Sequence, residues 1–196
     1  FLPPDVKKHL ERNSIEGVVK VQAGRTHADN AWWLELVREY PYVLGVIGWV
    51  DFTNPAEAAD WLDEFGENPK FLGVRPMLEE EPDVDWVLQD SVRQTIAIIA
   101  ERDLILELLV FPRHLKHVPD IARRHPEMRI NINHLAKPAV PDGTIDDWQR
   151  GMAAIAACPN VTFKVSALVE MWGAFNDGWT VEDAVTPFVQ FIRAEA

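Results

Sequence analysis

The sequence predicts an α/β fold built on a parallel sheet. Three observations carry that prediction. Six short apolar or β-branched runs recur along the chain, each separated from the next by a stretch with helical spacing. The second run, Val43 to Val50, is almost wholly apolar, as expected of a parallel strand covered on both faces. No repeat, low-complexity tract or interdomain linker interrupts the series, so residues 1–196 read as a single domain.

Taken in order, Pro3-Pro4 opens a helix to Arg12, with proline suited to a first turn. Ile15 to Ala23 is a β-branched strand ended by Gly24. Thr26 is an N-cap for a helix over 27–39, and Asn54-Pro55 starts the helix carrying Ala58, Leu62 and Phe65. Between them lies the strand 43–50, closed by Asp51. Phe71 to Arg75 is a short strand, followed by an acidic run, Glu79-Glu80-Glu81-Pro82-Asp83, expected as a solvated loop. A helix over 91–102, a strand over 104–111 and a helix from Pro112 to about Arg124 follow. Met128, Ile130 and Ile132 alternate with polar residues in the fifth strand. After a loop over 138–144 come a helix over 145–157, a strand over 161–168 and a last helix capped by Thr180.

Strict βαβ alternation fits either an open doubly wound sheet or a (β/α)8 barrel. Gln22-Ala23-Gly24-Arg25 is no dinucleotide fingerprint, which argues against a nucleotide-binding open sheet. In either architecture chemistry sits just past the carboxyl ends of the strands. The fifth strand is the most informative there. It ends Asn133-His134-Leu135-Ala136-Lys137-Pro138, bringing an imidazole and an ammonium close together before a proline stop. Such groups serve as base or metal ligand and as an oxyanion partner, although a strand cap facing solvent reads equally well from this stretch alone.

The other strand ends supply Gln22, Trp49 with Asp51, Arg75, Glu107, and Lys164 with Ser166. Arg75, Lys137 and Lys164 would make a barrel mouth cationic and suit an anionic or polyhydroxylated substrate. Structural readings stand beside these. Gln22 is read as a backbone partner, and Asp51 as a turn residue. Arg75 reads as a substrate group or as a partner of Glu107, Lys164 as a substrate group or, structurally, as a partner of Glu107 or a chain snorkelling to solvent, and Trp49 as a core residue or a stacking platform. His114 and His117 lie three apart on one helix, without a carboxylate or cysteine in metal-ligand register, and are expected on a solvated outer face. His9, His27 and His125 are expected at the surface. No Gly-x-Ser-x-Gly elbow occurs.

The formal net charge of −12 argues against nucleic acid or an anionic membrane as partner. No apolar run is long enough to span a bilayer, and Phe1-Leu2-Pro3-Pro4 does not open a signal peptide. One cysteine, Cys158, permits no internal disulfide and suits a reducing cytoplasm, where the protein is expected.

The ordered series Val19-Lys20-Val21-Gln22-Ala23, Gly45-Val46-Ile47-Gly48-Trp49-Val50-Asp51, Gly73-Val74-Arg75, Leu106-Glu107-Leu108-Leu109-Val110, Asn133-His134-Leu135-Ala136-Lys137-Pro138 and Lys164-Val165-Ser166-Ala167-Leu168 resembles the amidohydrolase-related (amidohydrolase 2) family. The nearest branch is that of the sugar-lactone and 2-pyrone-4,6-dicarboxylate lactonases. Each motif is weak alone, and six in order are strong.

The resemblance implies a (β/α)8 TIM barrel that hydrolyses a sugar or dicarboxylic lactone to a hydroxy acid, as in carbohydrate metabolism. It implies His134 and Lys137 as catalytic residues. Arg75, Glu107, Asn133, Lys164, Ser166 and Trp49 are the candidate substrate contacts. Water is activated by an aspartate on the last strand. The cofactor is left open between one divalent metal, zinc or manganese with His134 as a ligand, and none. The expected assembly is a monomer or homodimer acting on a small-molecule lactone. Two alternatives accompany this reading. One is a zinc-dependent decarboxylase of the same superfamily. The other is an inactive barrel fragment serving in binding or assembly.

This sequence departs from the family in three places. A His-x-His pair would precede Phe1, and a Gly-Ser-Asp-Trp-Pro segment would follow Ala196. The resemblance therefore places these residues as the middle six strands of the barrel, and an active parent protein is expected, since an isolated piece would leave two sheet edges unpaired. The third departure is Asn133, where the family carries aspartate, so His134 is expected to be less basic.

Overall fold

The computed structural model describes residues 2–138, 145–167, 186 and 190. It divides into two compact units, residues 1–76 with 90–106 and residues 77–89 with 107–196.

In the first unit the strands are β1 (Val18–Val21), β2 (Val43–Gly48), β3 (Phe71–Val74) and the opening residues of β4 (Ile105–Leu108). They are parallel and lie in the order β1-β2-β3-β4. Helices α1 (Pro3–Arg12), α2 (His27–Leu36), α3 (Pro55–Gly66) and α4 (Asp90–Glu101) alternate with them. The apolar run of β2 is buried as predicted at Val43, Val46 and Ile47, while Leu44 stands exposed. Gly73 lets β3 and β4 approach closely, since a Cβ there would lie 2.1 Å from the Ile105 carbonyl oxygen.

Local chemistry sets the helix starts. Thr26 Oγ1 accepts from the Asp29 N–H at 3.1 Å, and Asn54 Oδ1 from the Glu57 N–H at 3.4 Å. Ala58, Leu62 and Phe65 of α3 and Val92, Ile96 and Ile99 of α4 are buried at helical spacing. Lys70 gathers the chain between α2 and β2: its Nζ donates to the carbonyls of Val37, Tyr40 and Val43 at 2.7, 3.2 and 2.9 Å.

The second unit contains the end of β4, then β5 (Ile130–Ile132) and β6 (Val161–Phe163), in the order β4-β5-β6. β5 and β6 are parallel, with Ile130 opposite Val161 and Ile132 opposite Phe163. The helix predicted from Pro112 is instead a 3-10 segment, Pro112–His117, followed by α5 (Val118–Arg124). Pro119 sits in the first turn of α5, where its missing N–H does no harm. α6 (Asp146–Ala156) buries Trp148, Met152 and Ile155. Asn160 plays the role that Lys70 plays in the first unit, donating to the carbonyls of Ala122, His125 and Met128 at 3.3, 3.0 and 3.1 Å. The strands are shorter than predicted. Most of the predicted last helix from Thr180, nearly all of the loop over 138–144, and Leu168 lie outside the described residues; Thr186 and Gln190 within that helix are helical.

The histidines need correction. His9 is exposed as expected, but His27 and His125 are half-buried. His114 and His117 are buried, with 1% and 9% of their surface exposed, rather than on a solvated face. His114 Nδ1 accepts from the Phe111 N–H at 3.0 Å, and His117 Nε2 lies 2.8 Å from Asp85 Oδ1. The 3-10 segment turns both histidines inward while Arg113 and Lys116 stay exposed, which a helical reading of the same spacing could not reveal.

Burial, aided by the charges of Arg113, His117 and Lys116, pushes the His114 pKa from the ordinary 6.5 to about 4. Between those values the unfolded chain binds the proton and the folded chain does not, so stability falls as pH falls from 6.5 to about 4. Urea midpoints measured across this window are expected to drop with acidification. His114→Asn, which keeps an acceptor for Phe111, is expected to flatten part of that drop. His27 and His125, also held low chiefly by burial, account for a remainder of the same sign.

Candidate active site

The predicted site at the end of β5 is built on an unusual piece of backbone. His134, Leu135, Ala136 and Lys137 have φ of 53°, 51°, 61° and 49°. Four consecutive non-glycine residues in the left-handed region form a reversed turn that disfavours L side chains by about 1–2 kcal/mol each. Strain of this kind persists where the surroundings over-determine it, and it clusters at functional sites.

The surroundings here are specific. Leu135 and Ala136 are fully buried. The Leu135 carbonyl accepts from the Trp148 indole N–H at 2.6 Å, and the Leu135 N–H donates to the Lys164 carbonyl, past the end of β6, at 3.2 Å. The Lys137 N–H closes the turn on the His134 carbonyl at 2.9 Å.

This turn sets out the polar groups of the second unit. His134 Nδ1 lies 2.8 Å from Ser166 Oγ, a contact that orients the imidazole. Asn133 is buried and donates from Nδ2 to Glu107 Oε2 at 3.0 Å. The other oxygen of Glu107, itself 3% exposed, is paired with Lys164 Nζ. Lys164 thus takes the first of the two structural roles open to it. Lys137 Nζ is paired with Glu79 and lies 5.5 Å from the centre of the Phe111 ring.

Two expectations change. Lys137 and Lys164, expected as cations open to substrate, each carry a carboxylate partner, Glu79 and Glu107. Glu79 does not belong to a solvated loop: its side chain is 16% exposed and engaged, whereas Glu80 beside it is exposed. The sequence signal that could have found it is the apolar pair Met77-Leu78 just before it, of which Leu78 is buried. Asn133 also gains a reason. Its amide can donate to the buried Glu107 carboxylate, which an ionised aspartate cannot do.

The remaining candidates lie in the first unit. Arg75 is buried, and its N–H donates to the Gly48 carbonyl at 3.0 Å. Gln22 and Arg75 clasp each other: Gln22 Nε2 donates to the Arg75 carbonyl at 3.0 Å, and Arg75 Nη2 to the Gln22 carbonyl. Gln22 is therefore the backbone partner it was read to be.

Trp49 is half-buried, its peptide bracketed by Asn30, which accepts from its N–H at 3.0 Å and donates to its carbonyl at 2.6 Å. The His27 ring lies 5.5 Å from that of Trp49 and stacks on Trp61 at 4.2 Å. Asp51 Oδ1 accepts from the Thr53 N–H and hydroxyl at 2.8 and 2.7 Å, the turn expected of it. Lys20, which the sequence reading passed over, has its pKa lowered by burial and then by the Arg75 charge. Its Nζ sits 4.4 Å from the centre of the Trp33 ring.

Parallel strands alternating with helices, with ionisable groups past the strand ends, define the class of α/β proteins whose sites lie at the carboxyl ends of the strands. The amidohydrolase family model matches residues 2–194, and the chain belongs to that family. It is 36% identical to L-fucono-1,5-lactonase of Burkholderia ambifaria over 94% of this chain and 63% of that protein. It is 28% identical to L-fucono-1,5-lactonase of Burkholderia multivorans over 86% of this chain and 58% of that protein. The chain therefore spans about three-fifths of the length of the curated relatives it matches. A crystal structure of an amidohydrolase from Burkholderia multivorans with bound HEPES superposes with a TM-score of 0.88 at 25% identity, covering 100% of this chain and 69% of that one. The fold is that of the amidohydrolase TIM barrels.

A second crystal structure of an amidohydrolase from Burkholderia multivorans, matched with a TM-score of 0.88 at 25% identity, contains bound zinc. Among the described residues no group of three or more His, Cys, Asp or Glu side chains could hold one. His134 alone does not make a metal site.

The Asn133–Glu107 pairing is testable. Asn133→Asp sets a second carboxylate against Glu107, and like charge raises a carboxylate pKa in the folded state. A raised acid pKa means that stability is lost as pH rises above the unfolded value near 4. Relative to wild type, Asn133→Asp is expected to be nearly neutral at pH 4 and to lose about 1–3 kcal/mol by pH 7 in urea melts. An equal loss at both pH values would mean that charge is not the cause.

Proposed function

We propose that the protein is a lactone hydrolase acting on sugar lactones of the aldonolactone type, the 1,5-lactone of L-fuconic acid among them. The observation that carries this reading is the 36% identity to an L-fucono-1,5-lactonase over 94% of the chain. The geometry at the end of β5 supports it: an oriented imidazole, a paired ammonium and a buried carboxylate–amide–ammonium network share one strand-end region.

In the proposed reaction a water oxygen bonds to the lactone carbonyl carbon and the ring C–O bond breaks. The former ring oxygen takes a proton and becomes a hydroxyl, and the new carboxylic acid gives its proton to solvent at neutral pH. His134, held by Ser166, is assigned to the carbonyl, where an imidazole can donate to the developing oxyanion. Lys137 is assigned to a substrate oxygen. The general base is assigned, by family resemblance, to an aspartate on the last strand of the barrel. The substrate contact that the resemblance gives to Arg75 belongs to the same proposal, as do Trp49, Glu107, Asn133, Lys164 and Ser166 as contacts or supports. The single buried Cys158, with no disulfide partner, suits a cytoplasmic setting. No helix of the described residues is long and apolar enough to cross a membrane.

Acid release from a panel of aldonolactones, followed with a pH indicator, tests the reading on the full-length protein. Turnover of L-fucono-1,5-lactone or a close stereoisomer is expected, with His134→Ala lowering kcat/KM by roughly 100-fold or more. A panel without acid release would contradict it.

A further inference from the structure

Opening a lactone converts a neutral ring into an anion. A site that holds an uncompensated ammonium would therefore bind its product more tightly than its substrate. The Glu79–Lys137 pair bears on that problem, and the inference from it rests on the lactonase reading above.

We propose that Glu79 is a positioning residue whose carboxylate occupies the Lys137 ammonium, so that the neutral lactone is accepted and the anionic hydroxy acid is not retained. Three observations support it. Glu79 is placed by main chain and core: its N–H donates to the Leu109 carbonyl at 3.1 Å, and Leu78 before it is 3% exposed. The pair is shielded, with side chains 16% and 26% exposed, so solvent and salt screen it less than a surface ion pair. Lys137 is fixed at both ends, by the left-handed backbone at φ 49° and by the Phe111 ring 5.5 Å from its Nζ. Arg113 lies 4.6 Å from the centre of the same ring, and its Nη2 donates to the Glu79 carbonyl at 3.5 Å, adding a further constraint on Glu79.

A product carboxylate must compete with Glu79 for Lys137, whereas a lactone carbonyl need only share the ammonium, which has three donors. No bond beyond those of hydrolysis is made or broken. The acid proton leaves to solvent, and Glu79 takes no part in its transfer.

The test uses the full-length protein, with sodium L-fuconate as the anionic probe and L-fucitol as its neutral counterpart, in isothermal titration. Glu79→Gln is expected to bind fuconate about tenfold more tightly than wild type, with fucitol unchanged. Glu79→Asp, which keeps the carboxylate, is expected to stay near wild type. The gain is expected to vanish when Lys137→Gln is added. In turnover, product inhibition by fuconate is expected to rise in step while the lactone KM changes less than about threefold.

The proposal is overturned by fuconate affinity within twofold of wild type, by no fuconate binding at all, by an equal gain for fucitol, or by a gain that survives Lys137→Gln. Should Glu79→Gln fail to fold, Glu79→Ser removes the same charge and carries the same expectations. Failure of the lactonase reading shows separately, as absence of acid release by wild type, because the binding difference between variants does not depend on turnover.

Discussion

The strained turn from His134 to Lys137 is the constraint on which the candidate site depends. Four left-handed L residues in succession are disfavoured by about 4–8 kcal/mol in total if each carries the usual penalty. Three features of the second unit oppose that cost. Trp148, buried on α6, fixes the Leu135 carbonyl, the chain after β6 fixes the Leu135 N–H, and the full burial of Leu135 and Ala136 adds apolar stabilisation. Helix, strand and turn are thereby tied into one unit. Trp148 on α6 thereby bears on the turn that carries His134 and Lys137.

Charge organisation is the second theme. The chain carries a formal net charge of −12, yet each lysine of the candidate site is matched to a carboxylate placed by a different segment. The two pairs differ in setting. Glu107 is almost wholly buried and has Asn133 as a second partner, which suits a fixed support. Glu79 is more accessible and comes from a short 3-10 turn, Leu78–Glu80, which suits a pair that can exchange partners. Buried pairs are costly to break because the remaining charge is left uncompensated. That asymmetry separates a structural ion pair from one open to ligand competition.

Much of the architecture was legible in the sequence, because the alternation of apolar runs with helical spacing follows directly from burial. The six strands, the caps at Thr26 and Asn54, and the polar end of β5 were read from the residues themselves. The reversed turn was not legible. No glycine marks it, and the contacts that stabilise it come from Trp148 and Lys164, remote in sequence. Glu79 was hidden by its acidic neighbours, whose composition reads as a solvated loop. His114 and His117 were misread because their spacing suits an exposed helical face, whereas a 3-10 segment buries both. In each case a tertiary contact outweighed the local pattern.

Removing the indole donor while keeping an aromatic ring tests the central claim most directly. The measurement is kcat/KM for aldonolactone hydrolysis by the full-length Trp148→Phe variant, made where circular dichroism shows it folded. If the Trp148–Leu135 bond holds the turn that positions His134 and Lys137, kcat/KM falls at least about tenfold although Trp148 lies away from the reacting groups. A folded Trp148→Phe protein with wild-type kcat/KM would contradict the account.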